Sequence, residues 1–210
     1  VDHSTGHLPM GNGLLNAAGA CYEHMAAAFL KACRPRFFGV SQAVCRWLAH
    51  FGIQAEGQLY NAVDPAEVRA LANAPDRVDW REKLGLPADQ KLAVYLGRVI
   101  PEKGVAELIR AFSAAAPAGC SGVVAGDGPL LPRLRENCPL GVYLAGSVPY
   151  AQAMQLLAQA QLYCLPTYYA EGFPTTFLKA ATCGWPILTT RTGGNNELLP
   201  DEGYGGQLEG

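Results

Sequence analysis

Apolar residues follow two rhythms along this chain. Short apolar runs suit buried strands, and longer stretches with an apolar residue every three or four positions suit helices packed by one face. The short runs cover residues 37–40, 92–96, 122–125, 142–145, 162–166 and 186–190, with a weaker one at 58–60. The helical stretches cover 14–33, 42–51, 65–72, 105–115, 130–137, 150–160 and 175–183, and in the fourth of these Val105, Leu108, Ile109 and Phe112 share a face. A further helix is expected after Gly193 and Gly194, with Asn195 as its candidate N-cap.

Punctuation residues sharpen these boundaries. Gly11, Asn12 and Gly13 open the first helix, Lys31 and Arg34 suit its negative end, and Pro35 stops it. Ser41 is a good N-cap and Gly52 a good stop, while the polar stretch up to Pro87 is left without structure beyond 65–72. Residues 61–65 read as a hinge, dividing the chain into blocks 1–63 and 64–210. Regular alternation of strand and helix predicts an α/β, doubly wound parallel sheet in the second block and part of a similar domain in the first.

Composition narrows the function. With 210 residues, half of them apolar, the chain has material for one full domain and part of another. A net charge of −2 offers no field for nucleic acid. No apolar run approaches the ~20 residues of a membrane span. The chain begins at Val1 rather than an initiator methionine and stops in a glycine-rich segment, so a longer parent protein is expected. Seven cysteines, mostly in apolar segments and without a C-x-x-C pair, read as reduced core thiols of a cytoplasmic protein. The four histidines, His3, His7, His24 and His50, show no metal-ligand spacing, so no metal is expected.

Chemistry-bearing residues gather beyond the strands. After the run at 92–96 comes GRVIPEKG, with Arg98 and Lys103 as two permanent cations suited to a diphosphate, although such a pair is also ordinary on a solvated loop. GDGP at 126–129 lacks the third glycine of a dinucleotide fingerprint, since Leu131 stands there, which disfavours a nicotinamide-dependent oxidoreductase and favours a tight turn. Glu171 either accepts from a ligand's hydroxyls or favours the positive end of the helix after Pro174. Gly193, Gly194 and Glu197 either line a ligand or serve the loop and its following helix. Lys31, Arg34, Arg36, Phe37 and Phe38 form a basic and aromatic cluster that fits a membrane surface or, equally, a helix end beside a buried strand.

The segment EGFP, a helix, then GWPILTTRTGGNNELL resembles the donor-site signature of the family-4 retaining glycosyltransferases: Glu171 matches the first glutamate, Gly184 and Pro186 the middle, and Gly193, Gly194 and Glu197 the end. GRVIPEKG and GDGP fit the same family, and D-H-S-T-G-H resembles its acceptor-domain histidine segment. The resemblance implies a GT-B fold, with residues 1–63 as the tail of the acceptor domain and 64–210 as a donor domain short of its last helix. It implies sugar transfer from a nucleotide-diphosphate sugar to a sugar or lipid-linked acceptor hydroxyl, with retention and no metal. Bacterial polysaccharide or glycolipid assembly, in the cytoplasm or peripherally at the inner face of the plasma membrane, is the expected setting. The implied catalytic residues are His3, with His7 as second choice, Glu171, Arg98 and Lys103. The implied donor-binding residues are Gly97, Gly126, Gly172, Phe173, Pro174, Thr175, Lys179 and Gly194. The family's second glutamate is absent: Lys179 occupies its place, and an ammonium cannot accept from a ribose hydroxyl. A non-catalytic sugar-nucleotide-binding or scaffold protein on the same fold is therefore the alternative.

Overall fold

The computed structural model describes residues 5–7, 12–115 and 117–199 and the backbone of 207–208. By its contacts the chain forms two units: Val1–Asn61 with Ala170–Pro174 and Thr192–Pro200, and Ala62–Tyr169 with Thr175–Arg191 and Asp201–Gly210. The hinge expected at 61–65 lies at this division, but two loops that the linear reading left in the second block group with the first unit.

In the first unit, α1 (Gly13–Ala32) starts at Asn12, whose side chain accepts from the Leu15 amide at 2.9 Å. Strands β1 (Phe38–Gly39) and β2 (Gly57–Gln58) pair in parallel, with α2 (Gln42–His50) as the crossover between them. Ser41 caps α2 by accepting from Val44 N at 3.2 Å, as its position before the helix predicts. A small core of Ala27, Leu48 and Ile53, flanked by Phe37, Phe51 and Ala55, ties α1 to α2.

The second unit contains α3 (Pro65–Ala72), α4 (Trp80–Lys83), β3 (Lys91–Leu96), α5 (Val105–Ala115), β4 (Cys120–Ala125), α6 (Leu131–Glu136), β5 (Val142–Gly146), α7 (Tyr150–Gln159), β6 (Leu162–Leu165), α8 (Thr175–Thr182), β7 (Ile187–Thr190) and β8 (Gln207–Leu208). The sheet runs β5-β4-β3-β6-β7-β8, with every neighbouring pair parallel. Leu92, Ala93, Val94 and Tyr95 are all buried, because a central parallel strand has apolar cover on both faces. Successive strands step one way from β3 to β5 and the other way from β6 to β8, so the order reverses between β3 and β6. In open α/β sheets ligands bind beyond the strands' carboxyl ends at such a reversal.

Two local expectations change. The polar stretch before Pro87 contains α4: Asp79 caps it, and Trp80 is fully buried with its indole N–H donating to Gln152 O at 3.0 Å. Where a helix is expected after Gly193, residues Gly193–Glu197 form a short 3-10 turn, in which Asn195 lies inside rather than at the cap.

Candidate functional site

The loops after β3 and β6 meet at the reversal point. Residues 97–104 leave β3, residues 166–169 leave β6, and the amides of Tyr168 and Tyr169 both donate to the carbonyl of Glu102 at 2.9 Å. Onto this frame the sequence places Arg98 and Lys103, and both reach one ring. The Arg98 guanidinium carbon stands 5.4 Å from the Tyr169 ring centre and the Lys103 ammonium 5.2 Å from it. Each contact is worth about 0.5–1 kcal/mol where exposed. Together they hold two permanent positive charges beside one ring at the strand-order reversal, where open α/β sheets receive ligands. Arg98 is exposed and Lys103 half-buried.

The backbone under Arg98 is fixed from below. Tyr95 Oη donates to Arg98 O at 2.6 Å, and Val99 N donates to Asp127 O at 2.8 Å. Gly97 borders this contact. Gly126, at φ 145°, lies so close that a Cβ there would stand 1.7 Å from Gly97 O. The GDGP loop therefore needs glycine at 126 for main-chain packing, and Asp127 accepts from Gly128 N at 2.7 Å to shape the turn.

Other candidates belong to the first unit. Glu171, Gly172, Phe173 and Pro174 are all buried. Glu171 O accepts from Gly194 N at 2.9 Å and from Thr5 Oγ1 at 3.4 Å, and a Cβ on Gly194 would stand 1.9 Å from Gly172 O. Asn61 Nδ2 donates to Phe173 O at 2.9 Å, and the Tyr60 and Phe173 rings lie 5.1 Å apart. The glycines at 193 and 194 thus let two loops of this unit approach closely.

Glu197 has a role that no local pattern announces. Its carboxylate accepts from Gln42 N at 2.9 Å and Ala43 N at 3.0 Å, the first two amides of α2, and from Tyr60 Oη at 3.4 Å. With Ser41 serving Val44, the first three amides of α2 are satisfied by side chains. Burial first, and then the Glu197 charge, push the Tyr60 phenol above its ordinary value.

In the second unit Thr175 begins α8, directly after Pro174, and Lys179 lies half-buried on that helix with its ammonium 4.7 Å from the Tyr150 ring centre. The Tyr150 phenol is raised, chiefly by burial and then by the Glu67 charge. His3 lies outside the described residues. His7 contacts the Glu23 carboxylate through Nδ1 and packs beside His24, Trp47 and His50. The absence of local ligand spacing among the histidines therefore does not carry over into space: one from a loop and two from different helices come together.

The thiols also differ from expectation. Only Cys164 is buried, while Cys21, Cys33 and Cys138 are exposed, so most cysteines are not core residues. Burial pushes the Cys164 thiol up to about 12.

Residues 76–206 match the family described as Glycosyl transferases group 1. A putative teichuronic acid biosynthesis glycosyltransferase, TuaC, of Bacillus subtilis is 37% identical over 131 residues, covering 62% of this chain and 32% of its own length. The phosphatidylinositol N-acetylglucosaminyltransferase GPI3 subunit of Saccharomyces cerevisiae is 34% identical over 125 residues, covering 54% of this chain and 26% of its own. Anabaena HepE, solved in complex with UDP and glucose, superposes with a TM-score of 0.69 at 22% identity over 83% of this chain and 49% of its own. WaaG, a glycosyltransferase involved in lipopolysaccharide biosynthesis, gives 0.67 at 22% identity over 82% and 48%. The chain thus spans about a third or less of these two curated relatives and about half of the two solved structures.

Proposed function

The chain belongs to the group 1 glycosyltransferases, with an α/β fold of GT-B type, and on that premise we propose that the protein moves a hexose from a nucleotide-diphosphate sugar to an acceptor hydroxyl with retention. The observation that carries the proposal is the pairing of Arg98 and Lys103 over Tyr169 where the strand order reverses. In the transfer, the bond from the anomeric carbon to the diphosphate oxygen breaks and the acceptor oxygen bonds to that carbon. The acceptor's proton is released, and the diphosphate leaves with added negative charge. The two cations would stabilise that charge where it develops, without a metal ion. Glu171 and the amides of Gly172 and Phe173 are assigned to the donor sugar, and His3 to the acceptor. Bacterial polysaccharide or glycolipid assembly fits the named roles of TuaC and WaaG, and the cytoplasmic face of a membrane is the proposed setting. No helix among the described residues is long and apolar enough to cross a membrane.

Calorimetric titration with UDP and GDP tests the donor site. Arg98→Ala should weaken nucleoside-diphosphate binding about 10- to 100-fold, the equivalent of one charge-assisted bond of ~1.5–3 kcal/mol. Equal affinity in wild type and variant, or no binding to wild type, would overturn the assignment. Lys179, in place of a ribose-accepting carboxylate, favours a second reading as a non-catalytic sugar-nucleotide binder. Binding without transfer by the full-length protein would select that reading.

A further inference from the structure

Three histidines far apart in sequence come together in the first unit. His7 precedes α1, His24 lies within α1, and His50 ends α2. One ring nitrogen from each lies within 4.8 Å of the other two, and all three residues are exposed. Their ring centres stand 5.9, 5.5 and 5.1 Å apart. Around them Trp47 stacks on His50 at 4.9 Å and 5°, and Phe51 packs against His24 at 4.8 Å, so aromatic walls bound the rings on two sides.

We propose that His7, His24 and His50 bind one Zn²⁺ ion, with Glu23 orienting His7, and that the ion clamps residues 5–7 to α1 and α2. Imidazole nitrogen is a preferred donor for this borderline ion, and three protein ligands leave a fourth position for water. The required adjustment is small. An ion placed among three nitrogens no more than 4.8 Å apart stands at most roughly 2.8 Å from each, so each ring closes by about 0.7 Å to reach a Zn–N bond of ~2.0–2.1 Å. Exposed side chains on a loop, a helix surface and a helix end have room to make that movement.

Glu23 supplies the second indication of a ligand site. Its carboxylate engages His7 Nδ1 and so orients that ring. A carboxylate behind a histidine is the usual outer-shell partner of a zinc ligand. Neither Arg98 nor Lys103 belongs to this cluster, and the variants below leave His7, the second-choice acceptor histidine, unaltered, so zinc binding is read separately from sugar transfer.

The test is calorimetric titration of untagged, chelator-stripped protein with Zn²⁺, followed by Co²⁺ substitution. One ion should bind per chain. Cobalt should give visible bands of tetrahedral intensity without a thiolate charge-transfer band, which separates the histidines from the seven cysteines. Glu23→Gln should weaken zinc binding about 10- to 100-fold, and the double variant His24→Ala/His50→Ala should abolish the one-to-one site while circular dichroism is retained. Zinc should also raise the melting temperature of wild type and not of the double variant. Failure to saturate at one ion, a thiolate signature, or undiminished affinity in the double variant would each overturn the proposal.

Discussion

Replacing Glu197 distinguishes a helix cap from a ligand-lining residue. In the structure its two carboxylate oxygens serve separate amides, Oε2 that of Gln42 at 2.9 Å and Oε1 that of Ala43 at 3.0 Å. Hydrogen bonds to a charged group contribute ~1.5–3 kcal/mol each when well shielded, and an anion at a helix N-terminus adds ~0.3–1 kcal/mol. Gln42 is exposed, so water takes over part of its bond when the carboxylate goes. Glu197→Ala should therefore cost about 2–3 kcal/mol, and Glu197→Gln, which keeps one acceptor oxygen, about half that. For a chain of this size that is a fall in melting temperature of about 4–12 °C for alanine. Differential scanning calorimetry, with UDP titration of the same variants, gives the answer. Melting temperatures within about a degree of wild type, together with a tenfold loss of UDP affinity, would refute the capping role and restore the ligand one.

Two further outcomes follow from particular side chains. Lys179→Glu should tighten UDP or GDP binding about 10- to 100-fold by restoring an acceptor for ribose hydroxyls, at the expense of the contact with Tyr150; unchanged or weaker affinity by calorimetry would remove the ribose argument. Cys164, held neutral by burial up to about 12 against an ordinary 9.0, keeps its proton in the folded state over a range where the unfolded chain loses it. Its contribution to stability is thus full below pH 9 and is lost as pH rises towards about 12, visible as a lower urea midpoint in wild type than in Cys164→Ala once each is normalised to pH 8.

Local patterns carried the element order well because strand and helix periods differ and glycine, proline and serine mark the ends. Ser41 and the run at 92–96 were readable for that reason. Trp80 was not: Asp79, Arg81, Glu82 and Lys83 surround it with charge, and its burial depends on α7, some seventy residues later in the chain. The same limit applies to Glu197, whose amide partners lie 155 and 154 residues earlier, and to His7, His24 and His50, which have no common spacing. Arg98 and Lys103 were legible as a pair, whereas Tyr169, the ring they share, became evident only once β3 and β6 were neighbours.

The Glu102 carbonyl, receiving the amides of Tyr168 and Tyr169, implies an unusual division between what can vary and what cannot. The oxygen belongs to the main chain, so the side chain at 102 is free to change while the anchorage survives. An inserted or deleted residue between Gly97 and Gly104 would instead slide that oxygen out of reach and unfasten both cations from their ring at once. Length, more than side-chain identity at 102, is what this anchorage requires of the loop.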